Sequence, residues 1–353
     1  MKLLLLIITI LYSVNIRANP MLGLPELAVP AGNPQTEEKI ALGKLFFRDA
    51  RFSADGTISC ASCHQETLAF TDGLPTAVGF RHQAGRRNTP TLLNAAFYNT
   101  LFLDGRADNL ESQALGPLLN PAEHGLKNFD NLLAIVRNDK EYSEPVGKAY
   151  GTAADKVTME HIVKAIAAYE RTLIAGDSAF DRYLFAGDKS ALTASAERGL
   201  TVFQGKGNCV TCHEISWNNA LFTDNRFYNI GVGFKRLAPL LDAIRQLAKD
   251  GKNPDELPLN AAQRSELGRL NVTKQLADLG RFRTPTLRNI ALTAPYMHDG
   301  SMKTLAEVIE HYDKGENPAG YTDPKIFPLH LTRQEKQDLV AFMNSLTSRT
   351  LPK

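Results

Sequence analysis

The feature that most constrains this chain is a five-residue pattern that occurs twice. Residues 60–64 and 209–213 both read C-x-x-C-H, and together they contain all four cysteines of the 353 residues. Two thiols on one helical turn can both reach one edge of a porphyrin, while the histidine that follows points at the iron. A redox-active C-x-x-C does not need this histidine, and a zinc site would have to recruit both pairs.

The two motifs therefore predict two covalently attached c-type haems. The predicted attachment residues are Cys60 and Cys63 for the first haem and Cys209 and Cys212 for the second, with His64 and His213 as the iron ligands.

A longer internal repeat surrounds these motifs. Thr-Pro-Thr-Leu, a later Asn and a later Asp-Gly recur with a constant offset of 195 residues, as from Thr89 to Thr284. Phe-Thr-Asp also follows each haem motif, at 70–72 and 222–224. A repeat of this length is typical of a duplicated domain rather than a short-period solenoid. We expect an N-terminal domain over 19–175 and a C-terminal domain over 176–353.

Apolar residues at three- and four-residue spacing predict helices, and Gly and Pro separate them. These helices cover residues 158–173, 193–203, 305–312 and 332–346. No run alternates convincingly as a strand. The predicted fold class is all-α, mainly helical with long loops, and consists of two cytochrome c-type domains that arose by internal duplication.

Residues 1–18 predict a secretory signal peptide. Lys2 precedes an apolar run over 3–14, and Arg17-Ala18 follow it. About a dozen apolar residues fall short of the roughly 20 that a membrane anchor needs, and no later segment is long enough to span. We expect an exported, periplasmic protein. Its formal charge of +2 falls to about zero without the two cations of the leader, so nothing indicates a nucleic-acid partner.

The repeat also predicts that the two haems differ. With the offset of 195, Tyr312 corresponds to Pro117. A tyrosine can ligate haem iron, whereas proline has no side-chain donor atom. We expect His213 and Tyr312 to close the second haem, with Met302 as an alternative ligand that is out of register. The first haem would then keep an open distal face.

Residues near Pro117 suit chemistry at that open face. Glu123 can take a proton from one oxygen of a bound peroxide and return it to the other, and Gln113 can orient peroxide or water. Alternatively, Glu123 is a solvated charge or helix cap, and Gln113 is a surface amide. His82 is either a resting-state ligand of the first haem or a surface histidine in a polar loop. His298 either hydrogen-bonds a haem propionate or packs.

These residues resemble the bacterial di-haem cytochrome c peroxidase family, which includes the MauG type. The resemblance covers nearly the whole mature chain and includes both haem motifs. It is carried by LGKLFF at 42–47, RNTPT at 87–91, DGRA at 104–107, QA at 113–114, NPAE at 120–123, LFTDN at 221–225, TPTLRN at 284–289 and TAPYMHDG at 293–300.

The resemblance implies an N-terminal peroxidatic haem and a C-terminal electron-transfer haem. It places Glu123 and Gln113 on the distal catalytic positions of the family and Tyr312 on the ligand position of the MauG type. It also implies one Ca²⁺ at the domain junction. The implied calcium ligands are the Asn88 side chain and the carbonyls of Thr293 and Pro295, oxygen donors of the kind that calcium prefers.

The sequence departs from the family where tryptophans are expected. Leu103 stands at the position of the tryptophan between the haems, and Gly207 at that of the tryptophan before the second motif in the MauG type. The single tryptophan is Trp217.

We therefore expect an oxidoreductase that reduces H₂O₂. Its electrons would come from a small cytochrome c or cupredoxin or from a protein substrate, and a homodimer is left open. The alternative is a non-catalytic di-haem electron carrier.

Overall fold

The computed structural model describes residues 21–250, 254–317 and 320–352, and the predicted leader lies outside these residues. The described chain is mainly helical, and the predicted fold class is confirmed. The α-helices of the first half are α1 Glu37–Arg48, α2 Cys60–Cys63, α3 Leu110–Leu119, α4 Asp130–Asn138, α5 Lys140–Tyr150 and α6 Met159–Glu170. Those of the second half are α7 Ala179–Phe185, α8 Ala194–Gln204, α9 Phe234–Leu237, α10 Leu241–Lys249, α11 Ala261–Glu266, α12 Leu270–Thr273, α13 Leu305–Lys314 and α14 Arg333–Asn344.

Short 3₁₀ helices punctuate the loops. They are Ala50–Phe52, Glu66–Leu68, Phe80–His82, Ala95–Phe97, Ala154–Lys156, Cys209–Thr211, Ala238–Leu240, Pro254–Glu256, Leu276–Asp278 and Ile290–Leu292. One small antiparallel sheet, which the sequence did not predict, pairs β1 Phe227–Tyr228 with β2 Phe282–Arg283. Its strands are two residues long, too short to show an alternating pattern.

Each half has its own hydrophobic core. In the first, α6 packs against α1 and α3, and the core extends from Leu42 to Ala175. In the second, α8 packs against α14, and the core extends from Phe180 to Leu346. The predicted boundary between residues 175 and 176 stays a prediction, and it lies in the gap between these two cores.

Glycine permits the closest helix contact in both cores. A Cβ on Gly43 of α1 would collide with the backbone carbonyl of Ala165 in α6, and a Cβ on Gly199 of α8 with that of Asp338 in α14. Only a residue without a side chain lets the two backbones approach so closely. The duplicated halves therefore use the same packing device.

Local geometry also repeats at the offset of 195. Asn94 and Asn289 both adopt left-handed backbone, with φ of 63° and 60°. Isolated antiparallel bridges join Leu101 to Ala107 and Tyr296 to Met302. These matches preserve the local turn geometry in both copies.

The second copy contains an insertion that the sequence analysis did not identify as a unit. The offset between copies is 149 residues at the first cysteine of each haem motif and 195 at Thr-Pro-Thr-Leu, so 46 additional residues lie between. Helices α9 to α12 occupy this segment and share a separate small core, which includes Leu237, Ile244 and Leu267. The insertion therefore forms a helical unit beside the second haem motif.

The start of the described chain contacts both halves. The Gly23 carbonyl accepts a hydrogen bond from Arg288, which is 1% exposed and pairs with Asp181 at 2.9 Å. Ten residues later, the Asn33 amide donates to Glu111 at 2.7 Å. This segment therefore ties the two halves together. Among the described residues, no helix is long and apolar enough to cross a membrane.

Candidate functional site

Both motif histidines are oriented by the same backbone contact. Nδ1 of His64 lies 3.0 Å from the Phe70 carbonyl, and Nδ1 of His213 lies 2.9 Å from the Phe222 carbonyl. Since a carbonyl only accepts, Nδ1 carries the proton and donates it, which leaves the Nε2 lone pair available for a metal. Burial lowers the pKa of both imidazoles, which favours the neutral, ligating form.

The cysteines beside these histidines fit thioether attachment. All four thiols are free of disulfides. Burial is the main cause that raises the pKa of the Cys63 thiol to about 11, and the charges of Asp72 and Glu123 add to it. In each motif, two unpaired thiols lie beside one imidazole whose Nε2 is available. This donor set fits a covalently bound haem at both sites.

The second motif opens into a cavity that also contains Tyr312. His213, Tyr312 and apolar side chains such as Leu305, Val308 and Leu329 line it. No described residue hydrogen-bonds the Tyr312 hydroxyl, and burial raises its pKa. A half-buried phenol that lines the same cavity as the motif histidine, and whose hydroxyl no described residue hydrogen-bonds, suits a sixth iron ligand. Met302 does not line this cavity.

Helix α3 is the structural counterpart of α13. Both helices are ten residues long, and they begin and end 195 residues apart. Asn109 and Thr304 cap them, each with a reciprocal capping box. Because the two helices match from end to end, Pro117 occupies the helical position of Tyr312. Where the second copy has a phenol, the first has a side chain without a donor atom.

Glu123 lies near the first haem motif. Its carboxylate accepts a hydrogen bond from the Asn120 amide at 2.5 Å, and its backbone carbonyl accepts one from Phe80. Burial raises the pKa of Glu123, although the charge of Arg106 and the Asn120 hydrogen bond oppose the shift. A raised pKa favours the protonated form of the Glu123 carboxyl, so this group can hold a proton as well as release one.

Gln113 and His82 both precede this glutamate in the sequence. Gln113 is half-buried on α3, one turn before Pro117, and no described residue hydrogen-bonds its side chain. His82 is exposed, in a loop anchored by a bond from the Gln83 amide to the Pro121 carbonyl at 3.3 Å. The role of His82 as a resting-state ligand stays a prediction.

The three implied calcium ligands line the same cavity. Asn88, Thr293 and Pro295 all line the cavity of the second motif. The Asn88 amide donates to the Leu74 carbonyl at 2.9 Å, and its backbone N–H donates to the His298 carbonyl, so its side-chain oxygen remains available. This geometry is compatible with calcium, which stays a prediction.

Sequence reasoning missed a charged cluster at the same junction. Nε2 of His298 lies 2.8 Å from the Glu266 carboxylate, and the imidazole stacks on Phe282 at 4.0 Å between ring centroids. Arg236 and Arg87 approach the same carboxylate at 3.1 Å and 3.7 Å. His298 is thus held within a protein network. Glu266 belongs to the insertion, and the repeat gave no signal for it.

Comparison with known proteins gives the family. Residues 37–190 match the family described as di-haem cytochrome c peroxidase, and residues 196–347 match cytochrome c. Cytochrome-c peroxidase IdrP1 of Denitromonas iodatirespirans is 40% identical over 337 residues, which cover 93% of this chain and 86% of that protein. The chain belongs to the di-haem cytochrome c peroxidase family.

Two further relatives extend this di-haem peroxidase match. Methylamine utilization protein MauG of Methylorubrum extorquens is 36% identical, covering 92% of this chain and 83% of that protein. The crystal structure of a MauG-like protein associated with microbial copper homeostasis has a TM-score of 0.76 and 31% identity, covering 96% of this chain and 95% of that one. The protein is therefore a di-haem oxidoreductase of the peroxidase type with two haems c.

Proposed function

We propose that this protein is a periplasmic enzyme that reduces hydrogen peroxide at the first haem with electrons relayed through the second. The observation that carries this proposal is the difference between Pro117 and Tyr312 in two helices of equal length and capping. The first site lacks a side-chain donor at the position where the second presents a phenol. A substrate therefore has access to one iron, while the other serves electron transfer.

Glu123 would transfer a proton at the first site, and Asn120 would orient its carboxylate. The bound haem iron supplies the peroxide-binding position and the electrons. Glu123 would accept a proton from one oxygen of peroxide and return it to the other, which would leave as water once the haem iron supplies the electrons. The Asn120 amide fixes the carboxylate through its 2.5 Å hydrogen bond. Gln113, one helical turn before Pro117, orients the peroxide or a water.

Tyr312 would determine which oxidation state of the second haem is favoured. Because burial raises its pKa, the phenol releases its proton only where a metal cation compensates the charge. A phenolate is a hard anionic ligand and favours the ferric state. Calcium held by Asn88, Thr293 and Pro295 would fix the junction between this site and the first domain.

The reducing partner would approach the exposed edge of the second cavity. Phe327 lines this cavity and is 44% exposed, and Lys325 lies beside it. A small redox protein, a cytochrome c or cupredoxin, can donate electrons at such an edge, as can an oxidisable side chain of a protein substrate. Trp217 is 90% exposed, so it is not enclosed between the two haem motifs.

Stopped-flow mixing with H₂O₂ tests the proposal. We expect the half-reduced or ferric protein to show one haem without a second protein ligand, to change its spectrum with peroxide, and to recover with a reduced donor. If both irons carry two protein ligands in every redox state, and peroxide leaves the spectrum unchanged, the enzyme proposal fails. The protein would then be a di-haem electron carrier.

A further inference from the structure

Arg283 is a buried cation at the boundary between the two copies. It ends β2, is 5% exposed and lines the cavity of the second haem motif. Its backbone N–H donates to the Leu103 carbonyl at 2.7 Å, and its Nε donates to the Phe102 carbonyl at 3.5 Å. The first domain therefore holds this second-domain arginine in place.

An aromatic ring fixes the plane of the Arg283 guanidinium. The guanidinium carbon lies 3.4 Å from the centroid of the Tyr98 ring, and the Tyr98 hydroxyl accepts the Thr286 N–H at 2.9 Å. A guanidinium stacked in this way directs its N–H groups outward within the ring plane. The acceptor for those N–H groups must lie at the edge of the stack.

One edge of this guanidinium has no acceptor. Nη1 of Arg283 is buried without a hydrogen-bond partner in the described chain, and no described carboxylate lies within 4.0 Å of its nitrogens. The contrast is Arg288, also buried, which pairs with Asp181 and two carbonyls. An uncompensated buried charge is strongly unfavourable, so Arg283 requires an anion that the polypeptide does not supply.

Apart from the iron ligand His213, the other cationic or imidazole side chains on this cavity have hydrogen-bond partners. Lys325 donates to the Tyr228 hydroxyl at 3.0 Å and to the Thr211 carbonyl at 3.1 Å. His298 is bonded to Glu266. Lys325 is only half-buried, so water can accept its third N–H, whereas Arg283 is a buried lining cation whose Nη1 has no partner in the described part of the chain.

We infer that Arg283 binds a propionate carboxylate of the haem attached to Cys209 and Cys212, and so links that haem to the first domain. A planar fork of N–H groups matches a carboxylate, and the haem brings such groups into this cavity itself. The inference rests on haem binding and not on peroxide reduction. Arg283 acts as a positioning residue and carries out no step of the reaction.

The charge of Arg283 has two electrostatic consequences for the second haem. A positive charge beside a redox centre favours its reduced form, so Arg283 raises the reduction potential of this haem. The same charge keeps the propionate ionised, which prevents its protonation from accompanying reduction. Loss of the cation removes both effects at the second haem and leaves the reduction potential of the first haem unchanged.

The test is a spectroelectrochemical titration of both haems in the holoprotein between pH 5 and 8. We expect Arg283→Gln to make reduction of the second haem about tenfold less favourable, equivalent to a potential lower by about 59 mV, with the first haem unchanged. The variant should also acquire a pH-dependent potential that the native protein lacks. Arg281→Gln, which removes a part-exposed cation two residues away, should leave both potentials unchanged.

Arg283→Lys distinguishes charge from shape. It keeps the cation but loses the planar fork, so we expect a smaller shift than in the glutamine variant. If the glutamine variant does not fold, the lysine variant alone carries the test, with a shift of a few-fold expected. A native potential and pH profile in the variants that load both haems would overturn the inference, as would equal shifts of both haems.

Discussion

The two halves of this protein share a fold and differ at one position in a matched pair of helices, α3 and α13. Their proximal histidines bond equivalent carbonyls, those of Phe70 and Phe222. Their distal helices have the same length and the same type of cap, yet one carries Pro117 and the other Tyr312. Under the proposed function, this one difference in side chain would give the two duplicated domains different roles while the helix around it stays the same.

The largest effect should come from making the first site resemble the second. Pro117→Tyr places a phenol on α3 at the position that Tyr312 has on α13, so we expect it to close the first iron and abolish the reaction with peroxide. Stopped-flow absorbance measures this loss, and Pro117→Ala is the matched control that should keep the reaction. A tyrosine variant that reacts at the native rate would contradict the equivalence of the two helices.

Removing the proton acceptor of the first site should have the next largest effect. Glu123→Gln keeps the shape but cannot accept a proton, and we expect the reaction with peroxide to slow by about 10²–10⁴-fold. The second-order rate constant measures this change. Glu141→Gln, an exposed carboxylate on α5, serves as the control. Native kinetics in the Glu123 variant would exclude this residue from the mechanism.

The converse change removes the sixth ligand from the second site and so makes it resemble the first. Tyr312→Phe removes the phenol oxygen, so we expect the ferric second haem to lose its sixth ligand and to bind cyanide. Loss of an anionic ligand should also make reduction more favourable by tenfold or more, which corresponds to about 59 mV or more. Optical and EPR spectra measure both, with Tyr183→Phe as control. An unchanged spectrum would identify another ligand.

The smallest expected effect is a shift in pH dependence. Burial raises the pKa of Glu123, and a base works only when ionised, so the peroxide rate should fall as the pH decreases through this raised pKa. The Asn120 hydrogen bond opposes the shift, so Asn120→Ala should move the midpoint up by roughly one pH unit. A midpoint that moves down, or a profile that persists in Glu123→Gln, would contradict the assignment.

Much of the fold and site follows from short-range patterns in the sequence. The two C-x-x-C-H motifs identify six haem-binding residues at once, because covalent attachment requires two cysteines and a histidine at this spacing. Helices α6, α8, α13 and α14 were predicted from their apolar spacing. The constant offset of 195 was enough to align Tyr312 with Pro117 before any coordinates, since no insertion lies between Thr-Pro-Thr-Leu and the distal helix in either copy.

What the sequence did not predict depends on contacts between distant segments. Helix α3 was not assigned, because Gly116 and Pro117 interrupt its apolar pattern. Glu266, the partner of His298, lies in the insertion and has no counterpart in the first copy. The vacant N–H of Arg283 likewise emerges only when the segment around Phe102 is packed against it.

The insertion of α9 to α12 has a consequence for how such a protein diversifies. It has a hydrophobic core of its own, and it reaches the domain junction through Glu266. Its outward face can therefore change composition without altering the iron ligands or their spacing.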